Sequence, residues 1–283
     1  MRRESADRKP VARRPRDLLR RTRGISRADA EFLLLALLGC SRHELWLDDR
    51  PVAPSRAARF ARLARRVAAG EPPQYVTGRA PFLDFEVRVD RRVLVPRPET
   101  EELVLRALER RPDPRRVLDF GTGSGCIAIA VARLCPRCRV LAVDSSRRAL
   151  ALAGRNVGEH RLGPRVRLAA ADRLDAPALA RRRFDLIIAN PPYVPTARLA
   201  RLAWRVRDHE PRAALDGGPD GARILTMLID GGPDRLAPGG LLALEIDGSH
   251  AGALRRRAPA ARVERDLAGR VRYLFLEHPG AGR

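Results

Sequence analysis

Lysine is nearly missing from this chain of 283 residues: Lys9 is the one lysine, although Lys and Arg together number 56. The resulting net charge of +22 is therefore carried almost wholly by arginine. Two readings of that excess stand side by side. With plentiful alanine, proline and glycine it resembles the codon bias of a GC-rich genome, which loads exposed positions with arginine. Alternatively, it is a field that attracts an RNA-rich, polyanionic target.

Cysteine is also scarce, at four residues. Cys135 and Cys138 form a single C-x-x-C with no second pair and no flanking histidine, which excludes a completed zinc site on spacing. With no signal peptide and a chain long enough for a large core, reduced thiols are expected rather than a disulfide framework. The longest apolar run, residues 32–38, is far too short to span a bilayer. A cytoplasmic protein with no membrane partner is expected. Neither a base-recognition domain nor an aromatic-basic platform is evident, so no specific nucleic-acid partner is expected either.

What is present falls into four stretches. Residues 1–24 read as a basic arm interrupted by Pro10 and Pro15, with Glu4, Asp7 and Asp17 arguing against a transit peptide and a short helix expected over 17–23. Residues 25–72 read as a small helical domain. Ser26 caps a helix with Asp29 at the box position, a second helix spans 42–47, and Pro54-Ser55 opens a third with Phe60, Leu63, Ala64 and Val67 on one face. Without evident catalytic residues, this domain reads as a substrate-recognition module. Residues 73–98 read as a hairpin linker, with short strands at Gln74-Tyr75-Val76, 85–89 and 93–95. Pro96-Arg97-Pro98-Glu99-Thr100 ends it, and Glu99 or Thr100 is expected to cap the helix that follows.

Residues 99–283 alternate strand and helix, the pattern of a mostly parallel sheet covered on both faces. Arg116-Val117-Leu118-Asp119-Phe120 leads into Gly121-Thr122-Gly123-Ser124-Gly125 and then an apolar helix. Glycines at alternating positions let a ligand approach the backbone closely. Asp144 ends the next strand, about 20 residues past the last glycine, where a ribose-binding carboxylate sits in such folds. The D-x-G-x-G-x-G spacing departs from the dinucleotide fingerprint and fits an S-adenosylmethionine loop. Asp172 follows the third strand, so Asp119, Asp144 and Asp172 are expected level along one edge, suited to a cationic ligand. A divalent metal is the rival reading, disfavoured because its ligands would be spread over three strand ends without histidine; no metal is expected.

The fourth strand, Phe184-Asp185-Leu186-Ile187-Ile188-Ala189, is stopped by Asn190-Pro191-Pro192-Tyr193, since neither proline can donate a ladder hydrogen bond. Ligands bind at that edge of open α/β sheets. The polar segment 195–216, with Trp204, His209 and Glu210-Pro211, is long for a connection and is expected as a lid or substrate wall. A helix over 221–236, a strand over 241–246, a helix over 251–257 and a final hairpin turning at Gly269-Arg270 complete the sheet, with the last strand antiparallel. His250 and His278 are expected at the surface.

Taken together, Gln74 to Gly78, Val95 to Glu101, Asp119 to Gly125, Asp144, Asn190 to Tyr193 and Glu210-Pro211 resemble the release-factor glutamine methyltransferase family (HemK/PrmC) over residues 26–277. That family has the Rossmann-like class I methyltransferase fold, and the resemblance implies S-adenosyl-L-methionine as cofactor. It implies cofactor contacts at Asp119, Gly121, Thr122, Gly123, Ser124, Gly125, Asp144, Asp172, Arg173 and Asn190, with Asp144 on the ribose hydroxyls. Asn190, Pro191 and Tyr193 are the implied catalytic residues. Asn190, Pro191, Pro192 and Tyr193 form the implied substrate platform, with Arg97 beside it. The implied acceptor is the Gly-Gly-Gln loop of a bacterial class I peptide chain release factor, near the ribosome; a glutamine of a large-subunit ribosomal protein is the sister alternative. A nucleic-acid amino-methyltransferase shares the N-P-P-Y tetrapeptide. Arg173, where the family often places an aromatic, Asp247-Gly248 and the N-terminal arm depart from the family pattern.

Overall fold

The computed structural model describes residues 14–47 and 50–280. They divide into two compact units, one ending at Gly78 and one beginning at Arg79. That division falls inside the 73–98 span read above as a linker, and the basic arm up to residue 13 lies outside the described residues.

The first unit contains α1 (Pro15–Arg21), α2 (Arg27–Leu38), α3 (Arg42–Leu47), α4 (Pro54–Ala68) and α5 (Pro73–Thr77). Ser26 Oγ accepts the Asp29 N–H at 3.0 Å and opens α2. The apolar stripe of α4, Phe60, Ala64 and Val67, joins Leu33, Leu34, Leu45 and Val76 in one buried cluster. Gln74-Tyr75-Val76, expected as strand, is instead the body of α5. Pro73 occupies the first helical turn, where its missing N–H costs nothing, and Gly78 closes the helix in the left-handed region at φ 78°. These end signals outweigh the β-propensity of a Tyr-Val pair.

The second unit opens on a hairpin of β1 (Arg79–Phe82) and β2 (Phe85–Arg88). Residues 93–95 form no ladder, contrary to expectation, because the chain turns at Asp90, whose carbonyl takes the Val93 N–H at 3.1 Å. There follow α6 (Pro98–Arg110), β3 (Arg116–Phe120), α7 (Cys126–Leu134), β4 (Arg139–Asp144), α8 (Arg147–Glu159), β5 (Val166–Ala170) and β6 (Phe184–Ala189). The chain ends with α9 (Trp204–Arg207), α10 (Arg223–Gly231), β7 (Leu236–Glu245), α11 (Ala251–Arg257), β8 (Arg262–Arg265) and β9 (Val271–Glu277).

Seven strands form one sheet in the order β5-β4-β3-β6-β7-β9-β8. Its pairs are parallel except those made by β9, which runs antiparallel to both neighbours. The chain winds outward from β3 to β5, then returns to place β6 on the other side of β3. The carboxyl ends of β3 and β6 thus flank the reversal of strand order, where α/β sheets open a ligand crevice. Strands β3 and β6 are buried on both faces, which explains their continuous apolar runs.

Three local expectations are corrected. The helix expected over 221–236 stops at Gly231, because Gly232-Pro233 cannot continue it and a 3₁₀ turn follows. Strand β7 begins at Leu236, which pairs with Phe184 ahead of a register shift at Pro238-Gly239-Gly240. His250 is buried, with Nε2 3.0 Å from the Asp220 carbonyl. Among the described residues no helix is long and apolar enough to cross a membrane. The four cysteines are free, and burial pushes the Cys138 thiol up to about 11.

Candidate active site

The loop after β3 is built to expose its backbone. Gly121, Gly123 and Gly125 hold φ of 78°, 54° and 84°, conformations that side chains rarely adopt. The Gly121 and Thr122 N–H groups donate to the Val143 carbonyl at 2.8 and 2.9 Å, tying the loop to β4. Asn156 holds it from behind. Its Nδ2 donates to the Ser124 carbonyl at 2.8 Å and the Arg88 carbonyl at 3.0 Å, while its Oδ1 accepts the Arg88 N–H.

This loop walls a cavity of about 480 Å³, within the usual range for a small-molecule site. Gly121, Thr122, Gly123, Ser124, Asp144, Asp172, Arg173 and Asn190 all line it. A Cβ added at Gly121 or Gly123 would meet nothing within 4 Å, so both positions face open space. Asp144 sits in the wall, accepting the Gly123 N–H at 2.9 Å and the Ser146 N–H at 2.8 Å. Burial raises its carboxyl above the ordinary range, opposed by those two donors.

The three acids are not level, and this corrects the expectation. Asp119 is fully buried beneath the loop, where Oδ2 accepts from Thr122 Oγ1 at 2.6 Å and the Ala128 N–H at 3.1 Å. It braces the loop against α7 and does not line the cavity; nor does Gly125, whose added Cβ would lie 3.4 Å from that of Ala153. Asp172 stands exposed at the rim, two residues beyond Ala170, the partner of Asp144. Arg173 beside it is drawn to Asp175, with Nε 3.0 Å from Oδ1.

A second cavity, of about 450 Å³, adjoins the first. Leu94, Asn190, Pro191 and Ala214 line both, and Arg97, Tyr193, Arg198 and Asp247 line the second. Pro192 lines only the first. The wall between the cavities is thus the Asn-Pro turn at the end of β6. Close packing holds that turn: a Cβ at Gly217 would come within 2.7 Å of the Pro192 carbonyl, and one at Gly221 within 2.5 Å of the Tyr193 carbonyl. The 195–216 segment is stitched back to it, with the Val194 N–H donating to Leu215 and the Gly217 N–H to Val194, each at 2.9 Å.

Thr100, which lines the first cavity, and Glu245, which lines neither and was assigned no role from the sequence, support the wall. Thr100, expected as a helix cap, makes no capping bond. Its Oγ1 instead accepts from Asn190 Nδ2 at 2.9 Å and donates to Glu245 Oε2 at 2.7 Å. The Tyr193 hydroxyl donates to Glu245 Oε1 at 3.1 Å. Glu245 is only 2% exposed. Burial raises its pKa, against the Thr100 bond, the Arg272 charge and the Tyr193 bond. Burial, then the Glu245 charge, raises the Tyr193 phenol, so its hydroxyl stays protonated. Asn190 Oδ1 makes no hydrogen bond among the described residues. The signal for Glu245 was its strand position, one residue past Leu244, the partner of Ala189.

Parallel strands, a glycine loop at the reversal of strand order and an adjoining second cavity define a class I methyltransferase. The fold agrees with a methyltransferase from Pyrococcus furiosus, at a TM-score of 0.53 and 18% identity over 80% of this chain and all of that one. Family models described as the methyltransferase small domain and the PrmC N-terminal domain match residues 99–219 and 13–78. A release factor glutamine methyltransferase of Geobacter sulfurreducens is 43% identical over 78% of this chain and 77% of its own length. One from Bordetella pertussis is 43% identical over 87% and 93%. The chain belongs to the release factor glutamine methyltransferase family.

Proposed function

We propose that this protein transfers the methyl group of S-adenosyl-L-methionine to the side-chain amide nitrogen of the glutamine in the Gly-Gly-Gln loop of a class I peptide chain release factor. The observation that carries this reading is the shared wall, where the unpaired Oδ1 side of the Asn190 amide lies between two cavities sized for a donor and an acceptor. Relatives that bear the corresponding name match most of the chain and support the choice of acceptor. The same reading sets the protein in the cytoplasm, near translation termination.

The first cavity fits the cofactor. Gly121 to Ser124 offer backbone with no side chain in the way, and Asp144 offers a carboxylate for ribose hydroxyls. When bound, the cofactor supplies an already activated methyl group. The task left to the protein is orientation and desolvation. A glutamine amide nitrogen is a poor nucleophile, because its lone pair is delocalised into the carbonyl. Asn190 Oδ1 and the Pro191 carbonyl accept its two N–H bonds and aim the nitrogen across the wall. Tyr193 packs against the planar amide, and Arg97 borders the acceptor. Tyr193 keeps its own proton, and no strong base is required before transfer, because the methylated nitrogen becomes strongly acidic and releases its extra proton to solvent.

Incubation with radiolabelled cofactor and, separately, a release factor, large ribosomal subunits and DNA tests the acceptor. Label is expected on the release factor and lost when its Gly-Gly-Gln glutamine is replaced by alanine. Label on DNA alone overturns the reading.

A further inference from the structure

Asn190 and Glu245 stand opposite one another at the ends of β6 and β7, since Ala189 pairs with Leu244. Thr100, in the first turn of α6, bridges them at 2.9 and 2.7 Å. The chemistry of that bridge is restrictive. Thr100 Oγ1 donates to Glu245 Oε2 at 2.7 Å and the Tyr193 hydroxyl to Oε1 at 3.1 Å, so both carboxyl oxygens act as acceptors. A threonine hydroxyl has one proton, which leaves Thr100 a lone pair for Asn190. Only the NH₂ end of an amide answers a lone pair. Arg272 is the cation facing this group, with Nη1 3.4 Å from the Tyr193 oxygen, and Glu99 is a further acid near Glu245.

An asparagine amide has two flip states of nearly equal shape. In one, Oδ1 faces the acceptor cavity and accepts an N–H. In the other, NH₂ faces it and meets a glutamine amide donor to donor. We propose that Thr100 and Glu245 are positioning residues that set the flip state of the Asn190 amide, and through it the preference for a glutamine amide over a glutamate carboxylate as acceptor side chain. This inference rests on the function proposed above. It adds a source of specificity at Glu245, a carboxylate that lines neither cavity and acts through Thr100, which lines the first.

Thr100→Val removes the hydroxyl at nearly constant volume, and Thr100→Ser restores it. With the release factor as acceptor, Thr100→Val is expected to lower kcat about tenfold, the scale of one misdirected hydrogen bond. Cofactor Kd, measured by calorimetry, is expected to stay within about twofold. Inhibition by a release factor whose target glutamine is replaced by glutamate should strengthen about tenfold relative to the parent enzyme, because a freed amide can turn its NH₂ to a carboxylate. Thr100→Ser returns both quantities to within about threefold. Glu245→Gln, able to donate or accept toward Thr100, is expected to lose part of the same discrimination. Thr100→Ala carries the expectations of Thr100→Val should valine not be accommodated. Unchanged kcat and unchanged discrimination in a folded Thr100→Val or Thr100→Ala variant overturn the inference. A parent enzyme that labels no glutamine acceptor overturns the proposed function instead.

Discussion

Arg97 and Glu210, 113 residues apart, meet at 2.5 Å between Nη2 and Oε1. Arg97 lies between two prolines at the mouth of the domain, and Glu210 lies within the polar segment 195–216 that walls the second cavity. The Glu210 side chain is 2% exposed, against 35% for Arg97. Burial raises the Glu210 carboxyl, and the Arg97 charge works against it. Removing the cation leaves a buried carboxylate with no counter-charge. Because Arg97 is about one-third solvated, Arg97→Met is expected to destabilise by about 2–3 kcal/mol, less than breaking a fully buried pair. Thermal melts of Arg97→Met and of Arg97→Met/Glu210→Gln check this, with the double variant regaining most of the lost stability.

In the proposed reaction Asn190 offers its Oδ1 to the acceptor, while the glycine loop and Asp144 supply other walls of the first cavity. Asn190→Ala is therefore expected to cut kcat by about two orders of magnitude, the scale of a lost alignment. Cofactor Kd by calorimetry should move by less than about threefold. A turnover number equal to that of the parent would remove Asn190 from the reaction.

The opposite split is expected at Gly123. Its φ of 54° strains any side chain, and an added Cβ points into open space on the cavity side. Gly123→Ala costs about 1–2 kcal/mol in backbone conformation and obstructs the ligand. Cofactor Kd should rise at least about tenfold, while binding of the release factor, followed by fluorescence anisotropy, stays at the parent level.

Asp119 gives the fold a specific pH dependence. Burial pushes its carboxyl from 3.8 up to about 7, against the bonds from Thr122 and Ala128. A raised acid pKa means the folded state binds the proton more tightly than the unfolded one. The stabilising contribution is present below 3.8 and is lost as pH rises through about 7. Asp119→Asn retains an acceptor for both bonds and does not titrate. The stability of the parent relative to this variant should fall by about 3 kcal/mol between pH 4 and pH 7, then level off, in melts across that range. A difference independent of pH would contradict the assignment.

Much of the second unit was legible because its signals are local. The glycine loop, strands β3 to β6 and the turn at Asn190-Pro191 follow from runs of apolar β-branched residues, from residues that tolerate positive φ, and from prolines that cannot donate. Residues 74–76 and 93–95 misled because short apolar runs look alike as strand or helix, and the deciding signals were a proline before one and a turn at Asp90 before the other. Asp119 was placed on the ligand edge from its spacing, yet only the sheet packing turned it under the loop. His250 looked like a surface residue because nothing near it in the chain shows what covers it.

The sequence by itself determined the alternation of elements, the family and the stretch that carries the chemistry, since each depends on neighbours within a turn or a strand. The tertiary structure decided how the Asn190 amide is held. Its Nδ2 donates to Thr100, which donates to Glu245, 90 and 55 residues away from Asn190 along the chain, and this link exists only once α6 and β7 have packed against β6.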